Sequence, residues 1–308
     1  MSVPPAARAA VISAGRGAIR GFGMATARWR PDPDFLVIGA KRGGSTSFYF
    51  DLLEHPNVEP LFPRPDRLPK AAPTKGIHYF DTHYARGPRW YRSHLPSRRR
   101  RAERAARVGG PVVAGEASPY YLFHPAAAVR AAAMLPDVKI IAVLRDPVER
   151  TYSHWKERRR GDAEPLGFAE ALAAEDERIG DVEARLLADA RFVSAEHENH
   201  SYRHQSEYGA ALARWYDNFP AAQVLVLASE DYYADPAAEL DKAVRFLGLP
   251  SRPIATGEVR NAAAGAGLDP ELAARLREGF ADDVARLTRL TGRTFPWPGA
   301  PTSVEDAS

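Results

Sequence analysis

The chain has no cysteine, so neither disulfides nor thiolate metal sites are available to it. Long apolar runs are missing too. No stretch of about 18 consecutive apolar residues occurs, which argues against a spanning helix. The charge excess is small, +3 over 308 residues. It favours an anionic ligand without demanding nucleic acid. Also absent is the compact apolar core of a secretion signal. Ala6 to Ala27 scatters Arg8, Arg16 and Arg20 among small residues. Residues 1–33 therefore read as a lead-in arm, loose or docked on the body, with a peripheral membrane contact as the alternative. A cytoplasmic location, at or near the inner membrane face, is the expectation. What is present in quantity is hydrophobic residues, 45% of the chain, enough for a full core.

The chain is organised around Asp34 to Phe48, DFLVIGAKRGGSTSF. Phe35 to Ile38 is apolar and partly β-branched, the pattern of a short buried strand. Gly39, Gly43 and Gly44 supply a turn that exposes backbone. Lys41 and Arg42 lie inside it, and Ser45, Thr46 and Ser47 can cap the following helix. A strand, a glycine turn and a helix N-terminus together make an anion site. The spacing Gly39-x4-Gly44 is that of a P-loop, but position 45 is Ser where the Walker lysine belongs. Lys41 lies inside the loop instead, which weakens a kinase or ATPase reading.

Further along, the helix predicted from about Thr46 to Glu54 stops at His55-Pro56, and a proline-rich loop follows. Thr74 to Asp81 (TKGIHYFD) offers His78 and Asp81 beside three apolar residues. Tyr84, Trp90, Tyr91 and His94 form an aromatic patch. The run Arg98, Arg99, Arg100, Arg101, Arg104 and Arg107 reads as a solvated face, or else as a surface for a polyanion or a membrane. No nucleic-acid recognition motif accompanies it. Val112 to Ala114 is the next expected strand, with GEASPYY at its C-terminal end.

Val138 to Leu144 is the strongest strand signal, apolar apart from Lys139. Arg145, Asp146 and Pro147 follow at once. Ligands in open α/β folds gather at such strand ends, so Arg145 is well placed for a second anion. A helix starting near Pro147 could turn Ser153 toward the same place. Residues 156–207 are charged and helical in pieces, an insertion-like region. His197, His200 and His204 lack the carboxylate pattern of a metal site and read as local hydrogen-bonding or acceptor-contacting groups. Further helices over Tyr208 to Phe219 and from Asp269 onward, with a strand at Val224 to Leu227, complete the α/β pattern. The residues after Trp297 read as a tail, which leaves 34–297 as one domain.

Two anion sites at neighbouring strand ends suit one doubly anionic nucleotide and metal-free group transfer. With these residues in view, the chain resembles the nucleotide-dependent sulfotransferases of the Golgi-type carbohydrate branch, particularly the heparan sulfate sulfotransferase-like members and their bacterial relatives. The resemblance rests on Lys41 to Thr46 (KRGGST), Lys75 to Asp81, Gly115 to Pro119 (GEASP) and the pattern RDPxERxxS at Arg145 to Ser153. Glu230, Asp231, Asp235, Pro236 and Phe246 to Leu249 also fit. It implies a P-loop-like three-layer α/β fold with a mainly parallel sheet. It also implies the donor 3′-phosphoadenosine 5′-phosphosulfate (PAPS), which leaves adenosine 3′,5′-bisphosphate as product.

The resemblance further implies site roles. Lys41 would polarise the bridging oxygen. Arg42 and the backbone of Gly43, Gly44, Ser45 and Thr46 would hold the 5′-phosphosulfate. Arg145 and Ser153 would hold the 3′-phosphate, and Arg260 would cover the adenine or 3′-phosphate end. One departure stands out. The family's carbohydrate members place a catalytic glutamate just after the lysine that Lys75 resembles, and here that residue is Gly76. His78 is the leading replacement base, because an unperturbed imidazole suits that task. Glu116 and Asp81 are the alternatives.

The expected acceptor is a small molecule, glycan or glycolipid, shaped by residues 56–107 and 156–207, with Trp90, Tyr91, His197 and Tyr208 as candidate contacts. A small-molecule kinase and an inactive nucleotide- or glycan-binding relative are the competing readings.

Overall fold

The computed structural model describes residue 15 and residues 17–63, 75–254 and 267–307. Its centre is a four-stranded sheet in the order β2-β1-β3-β4 with every pairing parallel. β1 is Phe35–Gly39, β2 Gly115–Ala117, β3 Lys139–Leu144 and β4 Val224–Ala228. β1, β3 and β4 are apolar on both faces, as strands covered by helices on either side must be. Successive residues alternate between two cores. Leu36, Ile38, Ile140, Ala142, Leu144 and Val226 enter one, while Phe35, Val37, Ile141, Val143 and Leu227 enter the other.

Helices Ala127–Met134, Tyr208–Tyr216 and Pro270–Thr291 cover the first core, with Trp215, Phe280 and Leu287 among their buried contacts. Helices Ser45–Leu53 and Pro236–Phe246 cover the second through Phe48, Leu52, Leu240 and Val244. This is the three-layer α/β arrangement that the family resemblance implies. The last long helix begins as expected. Asp269 accepts a bond from the Leu272 N–H at 2.8 Å, Pro270 fills the first turn, and Gly292 closes the helix at φ +64.

The second strand departs from expectation. It is not Val112 to Ala114 but Gly115–Ala117, paired with Phe35 to Val37, and Val113 makes only an isolated bridge to Val58. The reason is steric. A Cβ at position 115 would lie 2.3 Å from the Phe35 carbonyl oxygen, so only glycine lets the strands meet. Glu116, in mid-strand, then becomes wholly buried.

The arginine run is likewise less open than a solvated face. It forms helix Arg98–Val108. Arg100 and Arg104 donate to Glu59, which is 1% exposed, and Arg101 donates to Asp34. Arg104 lies four residues after Arg100 and three after Arg101, spacings that bring side chains together on a helix, so half of the run clamps this helix to the body.

The ends of the domain are docked as well. Ala27 and Arg30 are buried, and Arg30 donates to the Leu95 carbonyl. At the other end Ala307 is buried, and its carbonyl accepts from Arg289. Among the described residues no helix is long and apolar enough to cross a membrane.

The Gly115–Phe35 contact makes a direct prediction. Gly115→Ala should destabilise the protein by about 1–3 kcal/mol, the usual cost of overpacking. Chemical denaturation of the two proteins measures it, with far-UV circular dichroism as the signal.

Candidate active site

A cavity of about 950 Å³ opens where β1, β3 and β4 end. That is within the usual range for a small-molecule site. Its floor is the turn after β1. The Ala40 N–H bonds the Val143 carbonyl at 2.7 Å, and the Gly43 N–H bonds the Ala40 carbonyl at 2.9 Å. Gly44 sits at φ +91 and opens helix Ser45–Leu53 without any side-chain cap. The expected capping by Ser45, Thr46 or Ser47 therefore does not occur. The hydroxyls of Ser45 and Thr46 instead accept from Lys75 Nζ, at 3.3 and 2.6 Å. The uncapped first turn, with Ser45 and Thr46 on the cavity wall, offers backbone N–H groups and the positive end of the helix to an anion.

The two anion sites expected from sequence share this cavity. Arg42 and Ser153 both line it, and Arg42 Nε donates to Ser153 Oγ at 3.3 Å. Ser153 is reached because helix Pro147–Arg160 starts at the end of β3, capped by the Asp146 carboxylate bonded to the Glu149 N–H at 2.9 Å. Arg145 also lines the cavity and donates to Glu149 at 3.1 Å.

Arg150, wholly buried in the same helix, holds the loop from beneath. Its guanidinium bonds the Lys41 carbonyl at 3.4 Å, Ser206 Oγ at 2.6 Å and the Tyr202 carbonyl. Glu230 does structural work at the rim, accepting from the Asp146 N–H and from Trp297 Nε1, each at 2.9 Å. Arg260 lies outside the described residues.

Lys41 lines the cavity but turns to the helix Ala195–His200. Its ammonium donates to the Glu198 carbonyl at 3.1 Å, Glu198 Oε1 at 3.3 Å and Asn199 Oδ1 at 2.9 Å. Burial lowers its pKa, and Glu198 opposes that shift. Lys75 carries the larger change. Burial first, and then the Arg42 charge, bring it down to about 8.

His78, Asp81 and Glu116, the candidate bases, are not among the residues that line this cavity. His78 has φ +53 and bonds Asp81 through Nδ1 at 2.8 Å. Burial pulls its pKa down, but the hydrogen bond and charge of Asp81 outweigh this and leave it raised. Asp81 is 1% exposed, which suits it to orienting His78.

Glu116 is wholly enclosed. Its oxygens accept from the Ile77 N–H (2.8 Å), Ser118 Oγ (2.5 Å), Tyr121 OH (2.7 Å) and Tyr91 OH (3.4 Å). Ser118 Oγ in turn accepts from the His78 N–H at 2.9 Å. This geometry makes Glu116 the anchor of the 75–78 segment. Gly76 is explained by the same packing. A Cβ there would lie 2.6 Å from the Ala117 carbonyl oxygen and 2.7 Å from Ser118 Oγ, so no side chain fits at this position without backbone movement.

Three of the four expected acceptor contacts are core residues. Tyr91, His197 and Tyr208 are each 0% exposed, and only Trp90 is partly open. His197 bonds Tyr120 OH at 2.6 Å, a local structural bond. Among the described residues no group of three or more His, Asp or Glu is arranged to hold a metal.

Sequence reasoning gave no role to Lys75, nor to Ser229 and Tyr233 on the cavity wall. The last two follow β4 and could have been found from the rule that ligands gather at strand ends. Nothing local in the sequence places Lys75 beside Thr46, 29 residues away.

The chain matches the family model described as a sulfotransferase domain over residues 32–263. It is 26% identical to heparan sulfate glucosamine 3-O-sulfotransferase 3A1 of Homo sapiens over 294 residues, covering 87% of this chain and 63% of that protein. It is 27% identical to the bifunctional heparan sulfate N-deacetylase/N-sulfotransferase 2 of Homo sapiens over 230 residues, covering 70% of this chain and 22% of that protein. The chain thus spans less than two thirds of the first relative's length and under a quarter of the second's. The crystal structure of a sulfotransferase from Alicyclobacillus acidocaldarius superposes with a TM-score of 0.61 at 26% identity, covering 86% of this chain and 98% of that one.

The uncapped helix start, Arg42, Lys75, Arg145 and Ser153 share one cavity, an electropositive setting for an anionic ligand. Lys75 is charged below about 8 and neutral above it. Affinity for adenosine 3′,5′-bisphosphate should therefore fall as pH rises through about 8, by up to about tenfold per pH unit. Lys75→Met should bind more weakly at neutral pH and lose this step. Titration calorimetry across pH 7–9.5 checks both.

Proposed function

Because the chain belongs to the sulfotransferase family and is a PAPS-dependent member of it, we propose that it transfers the sulfuryl group to a hydroxyl or amine of a carbohydrate, glycolipid or glycosylated metabolite. The observation that carries this reading is that two cationic anchor points, Arg42 and Arg145, line one cavity together with Ser153, which bonds Arg42. Support for a sugar acceptor comes from the human relatives, whose names give heparan sulfate and its glucosamine as what they act on. Gly76 sets this chain apart from the glutamate-bearing pattern and weakens heparan sulfate itself as the acceptor.

In this reading Arg42, Lys75 and the N–H groups of the first helical turn hold the phosphosulfate end, and Arg145 with Ser153 holds the 3′-phosphate. When bound, the donor supplies a sulfuryl group on a phosphate leaving group. Lys41 is the cation for charge developing on that leaving oxygen. On the acceptor side His78 takes the acceptor's proton at Nε2, and Asp81 fixes the ring through Nδ1.

The test begins with titration of adenosine 3′,5′-bisphosphate against magnesium-ATP. A clear preference for ATP would end the donor assignment in favour of a kinase. Labelled sulfate transfer into a pool of cell glycans, glycolipids and metabolites then identifies the acceptor class. His78→Ala should lower turnover by about 10²–10⁴-fold and leave bisphosphate affinity unchanged. Because the His78 pKa is raised, its neutral, proton-accepting form grows only as pH climbs past a value above the usual one. Turnover in the unsubstituted enzyme should rise over that range, and the pH–rate profile measures it.

A further inference from the structure

The helix over 17–25 and the short turn Ala27–Trp29 that continues it present two opposite sides. Arg20, Gly23, Ala27 and Arg30 recur every three or four residues and share one side. That side is docked on the body. Arg20 donates to the Ser93 carbonyl at 3.1 Å and to Ser93 Oγ at 3.0 Å. A Cβ on Gly23 would lie 2.6 Å from the same carbonyl oxygen, and Arg30 is 3% exposed.

The other side carries Ala18, Phe22, Ala25 and Trp29, all of them exposed. Phe22 touches Phe62, with ring centroids 6.0 Å apart, yet is 59% exposed, and Trp29 is 49% exposed. Two large rings are thus held toward water by a segment fixed on its opposite side, the mark of an interaction surface.

The surroundings of these rings are cationic. Residues 1–31 contain five arginines and no acidic residue. The Arg28 guanidinium lies over the Trp29 ring, 4.0 Å from its centroid. A cleft of about 410 Å³ opens beside it, lined by Met24, Ala25, Ala27, Arg28, Arg89 and Arg92. Arg89 comes from helix Gly87–Arg92, and its Nε donates to the Met24 carbonyl at 3.1 Å. Arg92 is matched by Asp32, which accepts two bonds from it at 2.8 and 2.9 Å. Among the described residues no carboxylate pairs with Arg28 or Arg89.

We propose that this face docks on a bilayer rich in anionic phospholipid: Phe22 and Trp29 enter the headgroup region, and Arg28 and Arg89 take lipid phosphate oxygens. Each part has its own physical reason. Aromatic rings settle at the boundary between water and lipid, where they bury apolar area. Two rings alone hold weakly, and cations near an anionic surface add to the attraction. A cleft walled by Met24, Ala25 and Ala27 together with arginines matches both chemistries of a phospholipid, carbon and phosphate. A symmetric contact with a second copy would instead set the unpaired arginines against each other. The proposal is independent of the donor reading, since none of these residues lines the cavity that holds Lys41.

The experiment sediments full-length protein with vesicles of phosphatidylcholine, alone or with about one third phosphatidylserine. The protein should pellet with the mixed vesicles, stay in solution with the neutral ones, and detach as salt is raised. Trp29 emission, read as the difference between the unsubstituted protein and Trp29→Phe, should shift to the blue on the mixed vesicles. Arg28→Gln with Arg89→Gln should weaken binding about thirtyfold. Phe22→Ser with Trp29→Ser should weaken it about tenfold or more with the charge intact.

These four side chains are exposed, so the variants should melt as the unsubstituted protein does, which circular dichroism checks. Arg245→Gln with Arg275→Gln removes the same charge from exposed positions on two other helices. It should weaken binding less than about threefold. Equal pelleting with neutral and mixed vesicles would overturn the proposal. So would equal losses from the two arginine pairs, which would reduce the attraction to overall charge. Failure of the unsubstituted protein to pellet would overturn it as well. A dimer seen then by sedimentation velocity, and split by Phe22→Ser with Trp29→Ser, would give the face to a second copy.

Discussion

Like charges crowded at one end of a parallel sheet are the constraint around which this molecule is built. Lys41, Arg42, Lys75 and Arg145 all line one cavity. Burial strips water from Lys41, Arg42 and Lys75 and pushes each toward its neutral form, and the Arg42 charge pushes Lys75 further. Such a cluster is unfavourable by itself and becomes favourable around an anion. The loop that carries it must be held in place against the repulsion. Arg150 does this from below by bonding the Lys41 carbonyl, and the packing of Gly43 against the Val143 carbonyl fixes the turn above β3.

The proposed donor and acceptor sides rest on different supports. The donor side hangs on the ends of β1 and β3 and on two helix starts, elements locked into the sheet. The proposed acceptor side hangs on 76–81, a segment with no regular structure before its turn. Rigidity there comes from a buried polar network. Glu116 gathers the Ile77 N–H and the hydroxyls of Ser118, Tyr121 and Tyr91, and Ser118 passes the constraint to His78. A carboxylate so enclosed is tolerable only because each oxygen has partners. The same network makes the left-handed backbone of His78 sustainable.

What could be read from the sequence was whatever is written locally. The glycine turn after Phe35–Gly39 and the Arg145–Pro147 strand end each occupy a few consecutive residues, and periodicity carried the long helix at Pro270–Thr291. Contacts across large separations were not legible. Lys75 meets Thr46, and Lys41 meets Glu198, only because the folded chain brings distant segments together. The register of β2 was misread because a glutamate in a three-residue strand looks like a loop until its four partners are known. Tyr91, His197 and Tyr208 were misjudged for a related reason. Amphipathic rings serve equally well as core or as lining, and composition alone does not separate the two.

The helix bearing Glu198 and Asn199 belongs to the long excursion between helices Pro147–Arg160 and Tyr208–Tyr216, outside the strand-and-crossover frame. A stretch of that kind tolerates change in length and sequence far better than the sheet beneath it. The enzyme is therefore built in two parts that can drift at different speeds. The turn after β1 is fixed by the frame, while the helix that Lys41 reaches lies outside it. The residues that meet Lys41 sit on the part freer to change, so an alteration there would reset the surroundings of Lys41 while the sheet stayed as it is.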